Sequence, residues 1–197
     1  MDESRRRIIT RPHRMGRLME EFKHLLNAGL TNEEGEKMTV FDKGMKAPDF
    51  ELPRDGGGML RLSQLAGKPV VLFFYPKDDT SGCTAIAFSQ MKPHFDALGV
   101  EVIGISPDSP KSHDKFKQKH ELTVTLVSDT EKTTLQEYSV WTEKSMYGRR
   151  YMGVERTTFL LEPDGRIAEI WRKVKVPGHA EAVLEAAKAL TGKTAQQ

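Results

Sequence analysis

Apolar positions along this chain alternate between short unbroken runs and stripes at helical spacing, with polar turn residues between them. Leu18, Met19, Phe22, Leu25 and Leu26 recur at helical spacing between Met15 and Ala28 and predict a short amphipathic helix. Its apolar stripe has to be covered, either by the rest of the chain or by a partner. Residues 30–38, rich in Glu and Gly, read as a linker, so residues 1–38 form an N-terminal extension and residues 39–197 the folded domain. Ala47 to Pro53 predicts an extended entry, closed by a turn at Gly56-Gly57-Gly58. Leu60-Arg61-Leu62 follows as a short strand, and Ser63 starts a helical turn.

Pro69 to Tyr75 is a nearly continuous apolar run, the mark of a strand covered on both faces. Ile86, Met91, Phe95 and Leu98 then carry a helix from Cys83 to the stop residue Gly99, and Val100 to Ile105 is a second apolar strand. Two such strands joined by a helix favour a right-handed parallel crossover. A helix at 112–120, a strand at 124–127 and a helix at 131–138 continue the alternation. Thr157–Leu161 and Ile167–Trp171 flank Pro163-Asp164-Gly165, which predicts an antiparallel hairpin. A last helix at 179–190 completes an α/β domain with a mixed central sheet flanked by helices.

At 197 residues the chain suits one domain plus an appendage, given about 150 residues per domain. Thirty Lys and Arg against 28 Asp and Glu leave a net charge of +2 with both signs interspersed, which argues against nucleic acid as a partner. Arg5, Arg6, Arg7, Arg11, Arg14 and Arg17 make the N-terminal arm basic, but no aromatic residue interleaves with them as a stacking platform requires. Ser4-Arg5-Arg6-Arg7-Ile8-Ile9 is not followed by an apolar stretch, so it does not read as an export signal. No run reaches the roughly 18 apolar residues of a membrane span. The expectation is a cytoplasmic protein with no membrane partner and its thiol kept reduced.

Cys83 is the only cysteine, and it stands at the strand-to-helix junction in Pro76-Lys77-Asp78-Asp79-Thr80-Ser81-Gly82-Cys83. A lone cysteine most often fills a core as a small hydrophobe. Here proline, threonine and glycine crowd the segment before it, which shapes a turn rather than a core. First-turn N–H groups and the helix dipole can favour a thiolate and bring its pKa to roughly 3.5–7.5. Pro76, lacking an N–H, can wall the pocket, and a turn can bring the Thr80 hydroxyl back towards the sulfur.

Pro76, Thr80 and Cys83 match the Pro-x-x-x-Thr-x-x-Cys signature, and the chain resembles peroxiredoxins of the bacterioferritin comigratory protein, or Q, branch. The similarity runs from about Lys43 to Leu190 and takes in Ala47-Pro48-Asp49-Phe50, Gly104 to Ser109, Lys144 to Arg149 and Arg156 to Leu160. It implies a thioredoxin-like fold and a thiol-dependent peroxidase for hydrogen peroxide and organic hydroperoxides. It also implies that Arg156, which alone would pass as a surface residue at a strand start, is a second cation beside Cys83. Thr80, Arg156 and the Cys83 N–H would orient the O–O bond for thiolate attack. Phe88 stands where the branch often has a resolving cysteine, and Ser81 where a proline is frequent. With no second cysteine, the sulfenic acid must be reduced by an outside thiol such as thioredoxin, glutaredoxin or glutathione. The chain is expected as a monomer or homodimer without cofactor or metal.

Other chemistries fit less well. His94, His113, His120 and His179 follow Cys83, but the only asparagines, Asn27 and Asn32, lie in the extension, so a cysteine hydrolase lacks its orienting amide. There is no Cys-x-x-Cys or His-Glu-x-x-His pair, and Ala187 takes the leading glycine position of a phosphate loop before Gly192-Lys193-Thr194. The non-enzyme alternative is a redox interaction protein that uses Cys83 oxidation as a signal to a partner.

Overall fold

The computed structural model describes residues 40–80, 83–146 and 148–194. The helix and linker expected in residues 1–38, and Ser81, lie outside the described residues. β1 (Glu51–Pro53) and β2 (Met59–Arg61) pair as a small antiparallel ribbon, followed by a 3-10 turn at Leu62–Leu65. The central sheet then builds outwards from β3 (Val70–Phe74). Helix α1 (Thr84–Ala97) leads to β4 (Glu101–Ser106), and α2 (Pro110–His120) leads to β5 (Thr125–Ser128). A short α3 (Thr133–Glu137) precedes the ribbon of β6 (Trp141–Met146) and β7 (Arg149–Val154). β8 (Thr157–Leu161), β9 (Ile167–Trp171) and α4 (His179–Thr194) complete the domain.

Strand order is β5-β4-β3-β8-β9, with β3, β4 and β5 parallel and β8 antiparallel to both of its neighbours. The period-2 alternation of β3 divides the core. Val70, Leu72 and Phe74 face a layer that includes Phe41, Phe50, Tyr138 and Phe159, whereas Val71, Phe73 and Tyr75 face Phe88, Phe95, Phe116 and Val183. The longer helices α1, α2 and α4 thus share one face. On the other, among the described residues, lie α3, the 3-10 turn, the N-terminal ribbon and the Trp141 and Val154 end of the β6–β7 ribbon.

Two local features hold α1 in place. Pro93 sits inside it and cannot donate to the Ser89 carbonyl four residues back. Thr123 supplies the missing bond through its hydroxyl at 3.3 Å, and its own N–H donates to the Ser89 hydroxyl at 2.7 Å. At Gly104 a Cβ would lie 2.5 Å from the Phe73 ring and 2.8 Å from Leu126, so this strand position has room only for glycine. Phe73 uses that room and stacks on Phe88 of α1 with 4.8 Å between ring centroids. Among the described residues, no helix is long and apolar enough to cross a membrane.

Candidate active site

The C-terminal end of β3 and the N-terminus of α1 meet at Cys83, the N-cap residue of α1, which is 3% exposed. The sulfur accepts no capping hydrogen bond, and the Ile86 N–H donates to the Cys83 carbonyl at 3.2 Å, but the Ala85 and Ile86 amides of the first helical turn still favour negative charge on the sulfur. Burial nevertheless dominates and pushes the thiol pKa up. The Asp78 carboxylate pushes it further, while the two amides and Arg156 pull it down without balancing the sum. The expectation of a depressed thiol pKa is therefore corrected: at this buried position, desolvation outweighs the helix terminus.

Arg156 reaches the site through sheet register. Phe74 pairs with Thr157 across β3 and β8, so one step further Tyr75 lies opposite Arg156. Arg156 has the parity of Leu160, which packs in the same layer as Tyr75 and Cys83. Its charge lowers the Cys83 pKa, and its Nε atom is buried without a hydrogen-bond partner among the described residues. Pro76 and Thr80 are partly buried in the turn between β3 and α1. The Thr80 hydroxyl donates to the Lys77 carbonyl at 3.2 Å and so braces the turn.

Two consecutive aspartates tie that turn to opposite ends of α2. Asp78 is buried and accepts from Tyr75 Oη and Ser112 Oγ, both at 2.8 Å, and from His113 Nδ1 at 2.9 Å. Its own N–H donates to Asp108 at 2.8 Å. Burial alone would raise its pKa, but the donors, His113 foremost, outweigh burial and hold it below the usual range. Burial and this carboxylate together push the Tyr75 phenol well up, so it remains a donor. Asp79, at φ 53°, pairs with Lys119 and, at 2.6 Å, with His120.

Sequence reasoning missed Asp78, Tyr75, Ser112 and His113 as a unit. Tyr75 ended an apolar run, Asp78 stood in the segment before Cys83 and Ser112 and His113 opened a helix, and nothing showed that the helix faces the Cys83 turn. It also missed Lys144, whose pKa is lowered by burial first and by Arg156 second. Among the described residues, no group of three or more His, Cys, Asp or Glu side chains is arranged to hold a metal ion.

Residues 43–170 match the AhpC/TSA family. Peroxiredoxin Bcp of Bacillus subtilis is 45% identical over 158 residues, covering 79% of this chain and 100% of its own. Peroxiredoxin Bcp of Xanthomonas campestris is 46% identical over 149 residues, covering 74% and 93%. Among solved structures, Xanthomonas campestris peroxiredoxin Q aligns with a TM-score of 0.69 at 45% identity, covering 72% of this chain and 91% of its own. Peroxidoxin BcpB of Mycobacterium tuberculosis aligns at 0.68 and 32% identity, covering 77% and 99%.

Proposed function

The chain belongs to the AhpC/TSA family, in its peroxiredoxin Bcp or Q branch, and we propose that its thiol-dependent peroxidase activity runs on Cys83 as the attacking group, with Arg156, Thr80 and Pro76 shaping the pocket. The observation that carries this reading is the buried Nε–H of Arg156, without a partner among the described residues, on the sheet face that holds the sulfur. A buried donor without a partner is costly, and an oxygen of a bound peroxide would relieve that cost. Arg156 also favours negative charge where the O–O bond breaks.

The thiolate of Cys83 attacks the nearer oxygen of hydrogen peroxide or an organic hydroperoxide. The S–O bond forms as the O–O bond breaks, and the leaving oxygen takes a proton to depart as water or alcohol. Cys83 is oxidised by two electrons to a sulfenic acid. An outside thiol then attacks that sulfur and releases water, leaving a mixed disulfide, and a second thiol frees Cys83. Thr80 holds the turn through Lys77, and Pro76 presents no N–H to compete for the peroxide. A lone thiol that must return to its reduced form suits a reducing compartment, the cytoplasm.

Replacing Cys83 by Ser should abolish peroxide consumption with added thiol. Replacing Arg156 by Ala should slow single-turnover oxidation of Cys83 by roughly 10²-fold or more, the scale of losing one transition-state donor. Normal turnover by Cys83→Ser would remove the assignment.

A further inference from the structure

The β6–β7 ribbon leaves Arg149, Arg150, Tyr151 and Met152 exposed in succession, Tyr151 at 45% and Met152 at 50%. Exposed Arg, Tyr and Met together are the composition of a protein contact rather than of ordinary surface. Register pairs Lys144 with Tyr151 and Met146 with Arg149, so Lys144, Arg149 and Tyr151 share one face of the ribbon. Lys144 and Tyr151 close over Gly153, where a Cβ would lie 3.5 Å from the lysine stem and 3.3 Å from the ring. The acid Glu143 lies on the opposite face, paired with Arg150 at 3.4 Å.

This basic face adjoins the candidate active site. Lys144 lies within reach of the Arg156 charge. The Arg156 carbonyl accepts the Val174 N–H at 2.9 Å, which sets the exposed Arg172, Lys173 and Lys175 beside it. Glu155 is the acid of this neighbourhood, and it is partly buried. A second copy of the chain would set these like charges against each other across a two-fold axis, so self-association does not suit the surface.

We infer that the Arg149 and Tyr151 face of the ribbon, with the basic loop at 172–175, docks an acidic protein thiol that reduces the Cys83 sulfenic acid. The inference rests on the assignment of Cys83 as the oxidised residue. The partner's thiol attacks the Cys83 sulfur and water leaves. A second thiol of the same partner then breaks the mixed disulfide, so Cys83 is reduced by two electrons while the partner is oxidised to its disulfide. The charges steer the encounter, and Tyr151 supplies apolar contact at its centre.

The test uses the full chain oxidised by one equivalent of hydrogen peroxide and re-reduced by a thioredoxin of net negative charge, or by 3-mercaptopropionate, 2-mercaptoethanol or cysteamine. Arg149→Glu combined with Lys173→Glu should leave peroxide oxidation unchanged and slow reduction by the acidic thioredoxin roughly tenfold or more. The salt dependence of that rate should flatten as well. Tyr151→Ala should slow the thioredoxin step while sparing all three small thiols. Unchanged thioredoxin rates in both variants would overturn the docking surface alone. A loss confined to 3-mercaptopropionate would overturn it in favour of a small-anion site. Failure of the unmodified chain to be oxidised at Cys83 would overturn the assignment of Cys83 and this inference with it.

Discussion

A nucleophile that must ionise sits here in surroundings that resist ionisation. Cys83 is buried among aromatic residues, and Asp78, held ionised by three donors, adds negative charge nearby. A higher thiol pKa lowers the thiolate fraction at neutral pH but gives each thiolate more intrinsic nucleophilicity. The rate of Cys83 oxidation by peroxide should therefore keep rising as pH increases through neutrality into the alkaline range. Replacing Asp78 by Asn removes the charge while keeping an acceptor for Tyr75. The profile should then move to lower pH and the rate at pH 7 should rise about threefold for each unit of pKa lowered, tenfold more thiolate being partly offset by its weaker nucleophilicity. Stopped-flow oxidation across pH checks this, and a slower reaction in Asp78→Asn with an unmoved profile would mean that Asp78 only braces the turn. The position of Cys83 was legible in its local sequence. The direction of its pKa was not, because burial, the first cause of the rise, depends on packing by other elements that the local sequence does not show.

At the scale of elements, the aromatic column beneath α1 ends on α4. Phe88 meets His179 edge to face at 5.8 Å, and His179 Nε2 bonds the Thr158 hydroxyl of β8 at 2.8 Å. Burial lowers the His179 pKa from 6.5 to about 4. Between these values the unfolded chain binds a proton that the folded chain refuses, so stability is full above pH 6.5 and falls as pH drops towards 4. Thermal melts at stepped pH should show this decline, and His179→Gln should flatten it by removing the titration. Strands β3, β8 and β9 were legible because they are apolar runs bounded by turn residues. The β6–β7 ribbon was not, because most of its length is solvated on both faces and no alternation marks it. Its residues stood out only as a motif.

For the whole molecule, one thiol and a sealed location predict the form of the oxidised state. Cys83 has no partner cysteine in the chain, and the like charges of Arg149, Arg172, Lys173 and Lys175 oppose the approach of another copy. One equivalent of peroxide should yield a sulfenic acid that dimedone traps, with the protein still running as a single chain on a non-reducing gel. A prominent disulfide-linked band would show that the pocket opens widely once oxidised. The mixed sheet was legible from the order of runs and the crossover rule. The approach of Arg156 to Cys83 was not a property of either segment, since it follows from the pairing of β3 with β8.

Gly104 extends that dependence to a strand that carries no chemistry. A methyl group there would drive Phe73 into Phe88, and the push would travel along α1 to the residue at its tip. Drift at this site is thus closed to any larger side chain, and damage there would strain the core and the helix that carries the nucleophile together.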